Sequence, residues 1–403
     1  MSNSQTQPSA GRRILFLDSL RAIAVLVVVW GHVMLVGVGD PATVGHWVPS
    51  VTVPIFGPDT PATNPHGKLG MVLALSTGIN PGGLGVALFF LISGFVIIRS
   101  VERVTAGQFL VQRFFRILPT CFAAVVIMAL ANWAVCAYLG VDQPNSLRSI
   151  LTSTFALNFY NGAFSTIPVL WTLEVEMTFY LLVAVLAAIP GAITTQRLIA
   201  TCAGCLLFIA LVVSPAASAI NPEKLRILQH WCTIVVHISF MLVGSLIYRA
   251  YMAGGNWRSL AWVAVSLAFY WACLKVLGSA TEGRSIGASL ADCMGALVLF
   301  VGGMLVGLRA AWLAPLRWIG DISYPLYLLH VPFCWMLLAG FGALGLGIHS
   351  AGALSIGIVI GLSWVMHKTV EMPTQALGKR LAKRLRSPNE PKTAIITAPS
   401  AAS

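Results

Sequence analysis

Three ionisable side chains, Asp18, Arg21 and His32, stand inside the first apolar stretch of this sequence, residues 13–35. At 3.6 residues per helical turn, the eleven steps from Arg21 to His32 are close to three full turns. The two therefore share one face, roughly 16 Å apart along the axis. Asp18 precedes Arg21 by three residues and lies near the same stripe. Ionisable groups at membrane depth face a bundle interior or a wet cavity rather than lipid. His32 is thus a candidate for proton transfer. The plainer alternative is a histidine hydrogen-bonded to a neighbouring carbonyl, beside a snorkelling Arg–Asp pair.

Two carboxylates follow at Glu174 and Glu176. On a helix they point about 160° apart, so only one is expected to face the core well. Counted at 1.5 Å per residue, His32 and Glu176 each lie roughly 12 Å below the outer face. A carboxylate beside an imidazole would hold its tautomer and raise its basicity, as a general base requires. Glu174 is expected near the outer interface, where it is solvated. Arg113 and Arg116 are one helical turn apart. Two guanidiniums so placed serve either as a clamp for phosphates or as a basic anchor at the membrane surface. Ser323 and Tyr327 are spaced i,i+4, and Tyr327 and His330 i,i+3. With Tyr324 they form a polar stripe that either lines a channel or ties helices together.

These groups are embedded in a chain of 403 residues that is 57% hydrophobic and 9% charged, with a mean hydropathy of +0.84. That composition excludes an ordinary soluble domain and indicates an all-α, polytopic transmembrane bundle. About ten apolar stretches have spanning length: 16–38, 80–98, 117–139, 168–190, 197–214, 231–249, 259–277, 288–308, 322–341 and 350–368. An even number places both termini in the cytoplasm. In that orientation only Lys68, Arg148, Lys224, Arg226, Lys275 and Arg284 of the 25 Lys and Arg fall outside. This is the positive-inside asymmetry, so the net charge of +12 points to a lipid bilayer and not to nucleic acid. Residues 1–13 read as a cytoplasmic tail, 14–373 as the transmembrane domain and 374–403 as a basic, flexible cytoplasmic tail. The outer connection 39–79 is long and rich in Pro and Gly. There His46, Trp47, Asp59 and His66 either meet an acceptor or form a plain cover over the bundle. Cys202 and Cys205 form a C-x-x-C inside an apolar run, which reads as packing rather than redox or metal chemistry.

Residues 17–33, LDSLRAIAVLVVVWGHV, resemble the opening of the membrane-bound acyltransferase-3 family, whose members acylate sugars and other hydroxyl compounds. FFLISGF (89–95), QRFFRILP (112–119), WTLEVEMTFYLL (171–182) and ISYPLYLLH (322–330) resemble later family elements in the same order. Glu176 matches the family's Glu, five residues after Trp171, whereas Thr172 stands where Ser is usual and Met177 replaces a common second acidic residue. Glu371 and Pro373 resemble a short element at the end of the last span.

The resemblance implies an integral membrane O-acyltransferase that moves an acyl group, in this reading acetyl, to a hydroxyl of a surface glycan or its precursor. No cofactor or metal is expected to be bound, and acyl-coenzyme A is the co-substrate. Its phosphates would be held from the cytoplasm by Arg113 and Arg116, with Arg21 near the entrance. His32 would act as base or transient acyl carrier, supported by Glu176 and Asp18. Trp171, Ser323, Tyr324, Tyr327 and His330 would line the channel or meet the acceptor. A small glycosylated metabolite such as a macrolide is the competing acceptor. A separate protein would be needed for any onward transfer. The rival of another class is a transporter or flippase, against which the lack of internal repeats counts. The expected location is the plasma or inner membrane.

Overall fold

The computed structural model describes residues 15–37, 44–45, 48, 65–142, 145–162, 164–280, 289–306 and 314–385. Among them the regular elements are all helices. In order these are α1 (Leu15–Trp30), α2 (Pro65–Thr77), α3 (Pro81–Val101), α4 (Ala106–Leu139), α5 (Leu147–Thr154), α6 (Asn158–Asn161), α7 (Trp171–Ala188) and α8 (Thr195–Val213). There follow α9 (Pro222–Met252), α10 (Trp257–Ala280), α11 (Leu290–Val306), α12 (Ala314–Asp321), α13 (Ser323–Leu329), α14 (Phe333–Ala343), α15 (Ile348–Met366) and α16 (Met372–Arg384). Among the described residues, eight helical stretches are long and apolar enough to cross a membrane. The α13–α14 pair makes a ninth, and α11, with 17 residues, is a shorter apolar helix. Each of the ten apolar stretches in the sequence has its helix. The protein is a multi-pass membrane protein.

The α3 helix is the hub, packed against α1, α9, α11 and α7. Its start is set by Asn80, whose side chain accepts from the amides of Gly82 and Gly83, with Pro81 at the first helical position. Contact with α9 is so close that a Cβ at Gly94 would strike the Met241 carbonyl, and one at Gly244 the Leu91 carbonyl. Small residues allow such backbone approach where no hydrophobic drive between helices exists. On the periphery, Leu181, Val185, Leu207 and Leu211 are each more than half exposed, as lipid-facing side chains are.

Three features depart from the sequence-based expectation. The stretch 322–341 is not one straight span. It breaks between Leu329 and Phe333 and bends by 59°, because Pro332 has no amide hydrogen to continue the ladder. Residues 31–36 are π-helical, with the His32 carbonyl accepting from the Gly37 amide and from Trp335 Nε1 at 2.8 Å. The expected flexible tail from 374 is helical through Arg384. α16 docks on α4, where Gln108 Nε2 donates to the Ala382 carbonyl at 3.1 Å and Gly378 sits against Phe115. Residues 386–403, like 1–14, lie outside the described residues.

Candidate active site

The arginines predicted to bind phosphate come together. A cavity with about 860 Å³ of atom-free space, counting its open mouth, lies between α1, α3, α4, α7 and α13. Arg21, Arg113 and Arg116 line one end, and Glu176 is the one carboxylate among the lining residues. Val86, Phe89, Phe90 and Ile92 of α3 supply apolar wall. Arg113 donates to Ser100 Oγ at 2.5 Å and its guanidinium lies 5.2 Å from the Phe109 ring centre and 5.4 Å from that of Tyr180. Its Nε is buried without a hydrogen-bond partner among the described residues. Arg116 lies within electrostatic reach of Glu176, Glu371 and Tyr180. The lining of this end carries three guanidiniums and one carboxylate, with Asp18 and Glu371 behind it offsetting part of that charge, and planar forks of this kind suit phosphate oxygens.

Glu176 accepts from Ser93 Oγ at 2.9 Å and from the Tyr180 hydroxyl. Thr172 donates its hydroxyl to the Val169 carbonyl at 2.9 Å, so the Tyr327 hydroxyl, 3.0 Å away, is the donor to Thr172 Oγ1. Tyr324 donates to the Ile117 carbonyl at 3.0 Å and fastens α13 to α4. From Tyr327 a row of rings leads away from the arginines. The Tyr327 and His330 centroids are 5.5 Å apart, and those of His330 and His32 are 5.1 Å apart. His330 Nε2 is 3.2 Å from His32 Nδ1. The cavity thus has an arginine-lined end; His32 and His330, the latter expected to line the channel, are not among its lining residues and adjoin it through Tyr327.

A family model described as an acyltransferase domain, acyltransferase-3, matches residues 14–368. The chain belongs to the acyltransferase-3 family. It is 34% identical over 124 residues to Nodulation protein 10 of Rhizobium leguminosarum bv. viciae, covering 26% of this chain and 33% of that relative's length. It is 29% identical over 303 residues to the exopolysaccharide production protein ExoZ of Rhizobium meliloti (strain 1021), covering 71% of this chain and 87% of that protein. No solved structure matches the chain.

In this acyltransferase-3 chain the cavity gathers Arg21, Arg113, Arg116, Glu176, Ser323, Tyr324 and Tyr327 from four helices. Several site expectations need correction. Glu176 does not support His32. The two share a depth by residue count, but depth says nothing of direction around the helix. Glu176 faces Ser93 and Tyr180, while His32 faces Val28 and His330. Asp18 is not among the cavity's lining residues and pairs instead with Arg21 at 3.3 Å. It acts on the cavity through that guanidinium. Trp171 is not among the cavity's lining residues; its ring lies behind that wall, 6.3 Å from Phe90 and 5.3 Å from His237.

Glu174 is not solvated. It is buried, with His230 Nε2 at 3.0 and 3.1 Å from its two oxygens and the Tyr160 hydroxyl donating at 2.5 Å. Burial, and then the bond to Glu174, holds the Tyr160 phenol above its ordinary pKa. Phe159 stacks on His230 at 3.6 Å, so this cluster fastens α6 to α7 and α9. Of the outer residues, His46, Trp47 and Asp59 lie outside the described residues. His66 accepts from Trp30 Nε1 at 3.3 Å and has its Nε2 3.1 Å from His349 Nδ1, a bridge that closes α2 over the bundle. Ser100, Tyr160, His230 and Trp335 carry contacts that no sequence motif marked. Their partners are 13 to 303 residues distant in the chain.

Proposed function

We propose that this acyltransferase moves an acetyl group from acyl-coenzyme A to a hydroxyl of a surface glycan or its lipid-linked precursor at the cell membrane. The observation that carries the reading is the cavity itself, lined by Arg21, Arg113 and Arg116 at one end and by Tyr327, whose ring adjoins His330 and through it His32, at the other. The positive-inside rule orients the basic end towards the cytoplasm, where acyl-coenzyme A is made. Arg21, Arg113 and Arg116 hold the donor's phosphates, and its pantetheine arm runs between the α3 wall and the α13 tyrosines. Similarity to a protein named for exopolysaccharide production supports a glycan acceptor.

In this mechanism His32 Nε2 takes the proton of the acceptor hydroxyl as its oxygen attacks the thioester carbonyl carbon. The C–S bond then breaks, an ester forms, and the proton passes to the departing thiolate. Base catalysis contributes roughly two to four orders of magnitude, and holding both substrates in register supplies the larger share. The test is mass spectrometry of surface glycans and small glycosides from cells with and without the chain, alongside labelled acetyl-coenzyme A in isolated membranes. Acetyl ester on a glycan is expected. Acetylation confined to a small glycoside would move the acceptor assignment, and no chain-dependent ester would overturn the proposal.

A further inference from the structure

We infer that His330 is the positioning residue for His32: with the Val28 carbonyl it accepts the Nδ1 hydrogen of the one tautomer in which His32 Nε2 is free to accept a proton. The inference rests on the reading of His32 as the base, and it deepens that reading. It follows from counting hydrogens. A carbonyl oxygen only accepts. Val28 O lies 3.1 Å from His32 Nδ1, so that nitrogen carries the hydrogen. Tyr327 O lies 2.6 Å from His330 Nδ1, which therefore carries one too. The contact between the rings joins His32 Nδ1 to His330 Nε2 at 3.2 Å. Since His32 Nδ1 is already a donor, His330 Nε2 must accept, and His330 is the neutral Nδ1–H tautomer. His32 then has its lone pair on Nε2.

That nitrogen has no hydrogen-bond partner among the described residues, and it faces Gly82, where a Cβ would come within 4.0 Å of it. No Asp, Glu, Lys or Arg among the described residues is hydrogen-bonded or ion-paired to either ring. The burial of His330 favours this arrangement, because an unpaired lone pair or hydrogen in a dry interior is costly. The backbone is pinned as well, by Trp335 Nε1 on the His32 carbonyl at 2.8 Å. When Nε2 takes the acceptor's proton, the imidazolium keeps its Nδ1 hydrogen on two acceptors, Val28 O and His330 Nε2. His330 therefore stabilises the charged form without touching either substrate.

The test uses the full chain, labelled with ¹⁵N-histidine, in lipid nanodiscs, with a His32→Asn variant to identify the His32 signals among the eight histidines. Wild type is expected to show His32 as the Nδ1–H tautomer. His330→Leu leaves the Val28 carbonyl as the one remaining acceptor among the described residues, so the share of the Nε2–H tautomer at His32 should rise as acyl transfer falls about 100-fold. His330→Gln can place its Oε1 where Nε2 was, so the tautomer should be retained and activity should stay within about ten-fold of wild type. A wild-type Nε2–H tautomer would overturn the inference. So would a Gln variant as inactive as Leu with the tautomer intact, since His330 would then be carrying the proton itself. The spectra read the ring pair whatever the reaction is. A normal tautomer in a wild type without acyl transfer would support the ring assignment and contradict only the proposed function. Should the Leu variant fail to fold, the Gln variant and the wild-type spectrum still decide.

Discussion

Glu174 and Glu176 stand two residues apart on α7 and hold partners on opposite sides of the helix, His230 and Tyr160 for the first, Ser93 and Tyr180 for the second. Both carboxylates are therefore engaged, and their substitution should fail in different ways. Glu174→Ala strands a buried imidazole and phenol, and is expected to cost about 3 kcal/mol of stability. Glu176→Gln leaves acceptors for Ser93 and Tyr180 but removes the one negative charge among the cavity's lining residues. Its expected effect is a fall in activity of about ten-fold, some 1.4 kcal/mol, with stability kept. Thermal melts and transfer assays on both variants check this. A stability loss at Glu176 with a silent Glu174 would reverse the two roles.

The two arginines of α4 should also separate. Arg113 already holds Ser100 and covers Phe109 and Tyr180, so Arg113→Ala should lower both donor affinity and stability. Arg116→Ala should raise the donor KM about ten-fold or more, since a charge-assisted phosphate contact is worth roughly 1.5–3 kcal/mol. Lysine at 116 should be a poor substitute, because it lacks the planar fork. Initial rates against donor concentration supply the measurement. A fall in kcat at unchanged donor KM would move these residues out of donor binding.

Tyr327 lines the cavity beside the His330 ring and is held there by Thr172. Tyr327→Ala should open that point and admit longer acyl groups. A methylene in a fitted pocket is worth about 1–3 kcal/mol, so the preference for acetyl over butyryl donors should fall about ten-fold or more. Competition between the two thioesters measures it directly. An unchanged ratio would place the acyl group elsewhere.

The order and placement of the apolar helices were legible because continuous apolar runs fix length and order, and every such run has its helix among the described residues. So was the grouping of Arg113 with Arg116, which one helical turn imposes. Direction around a helix was not legible. His32 meets a ring 298 residues later in the chain, and only packing reveals this. Pro332 stood in plain view within an apolar run, yet a span can absorb a proline or break at it according to its neighbours. The π-helical turn at Gly31–Val36 involves the Trp335 bond to the His32 carbonyl, a contact made across the fold. Continuation of the last helix to Arg384 likewise depends on the α4 surface that receives it.

Acyl transfer by His32→Ala, at matched expression in isolated membranes supplied with labelled acetyl-coenzyme A, tests the central claim most directly. Glycan-bound label should fall by about 100-fold or more, because the base that takes the acceptor's proton is gone. The donor KM should hold, since Arg21, Arg113 and Arg116 are untouched. Glycan-bound label within about two-fold of wild type, too small a change for a lost catalytic base, would contradict the assignment of His32 to the chemistry.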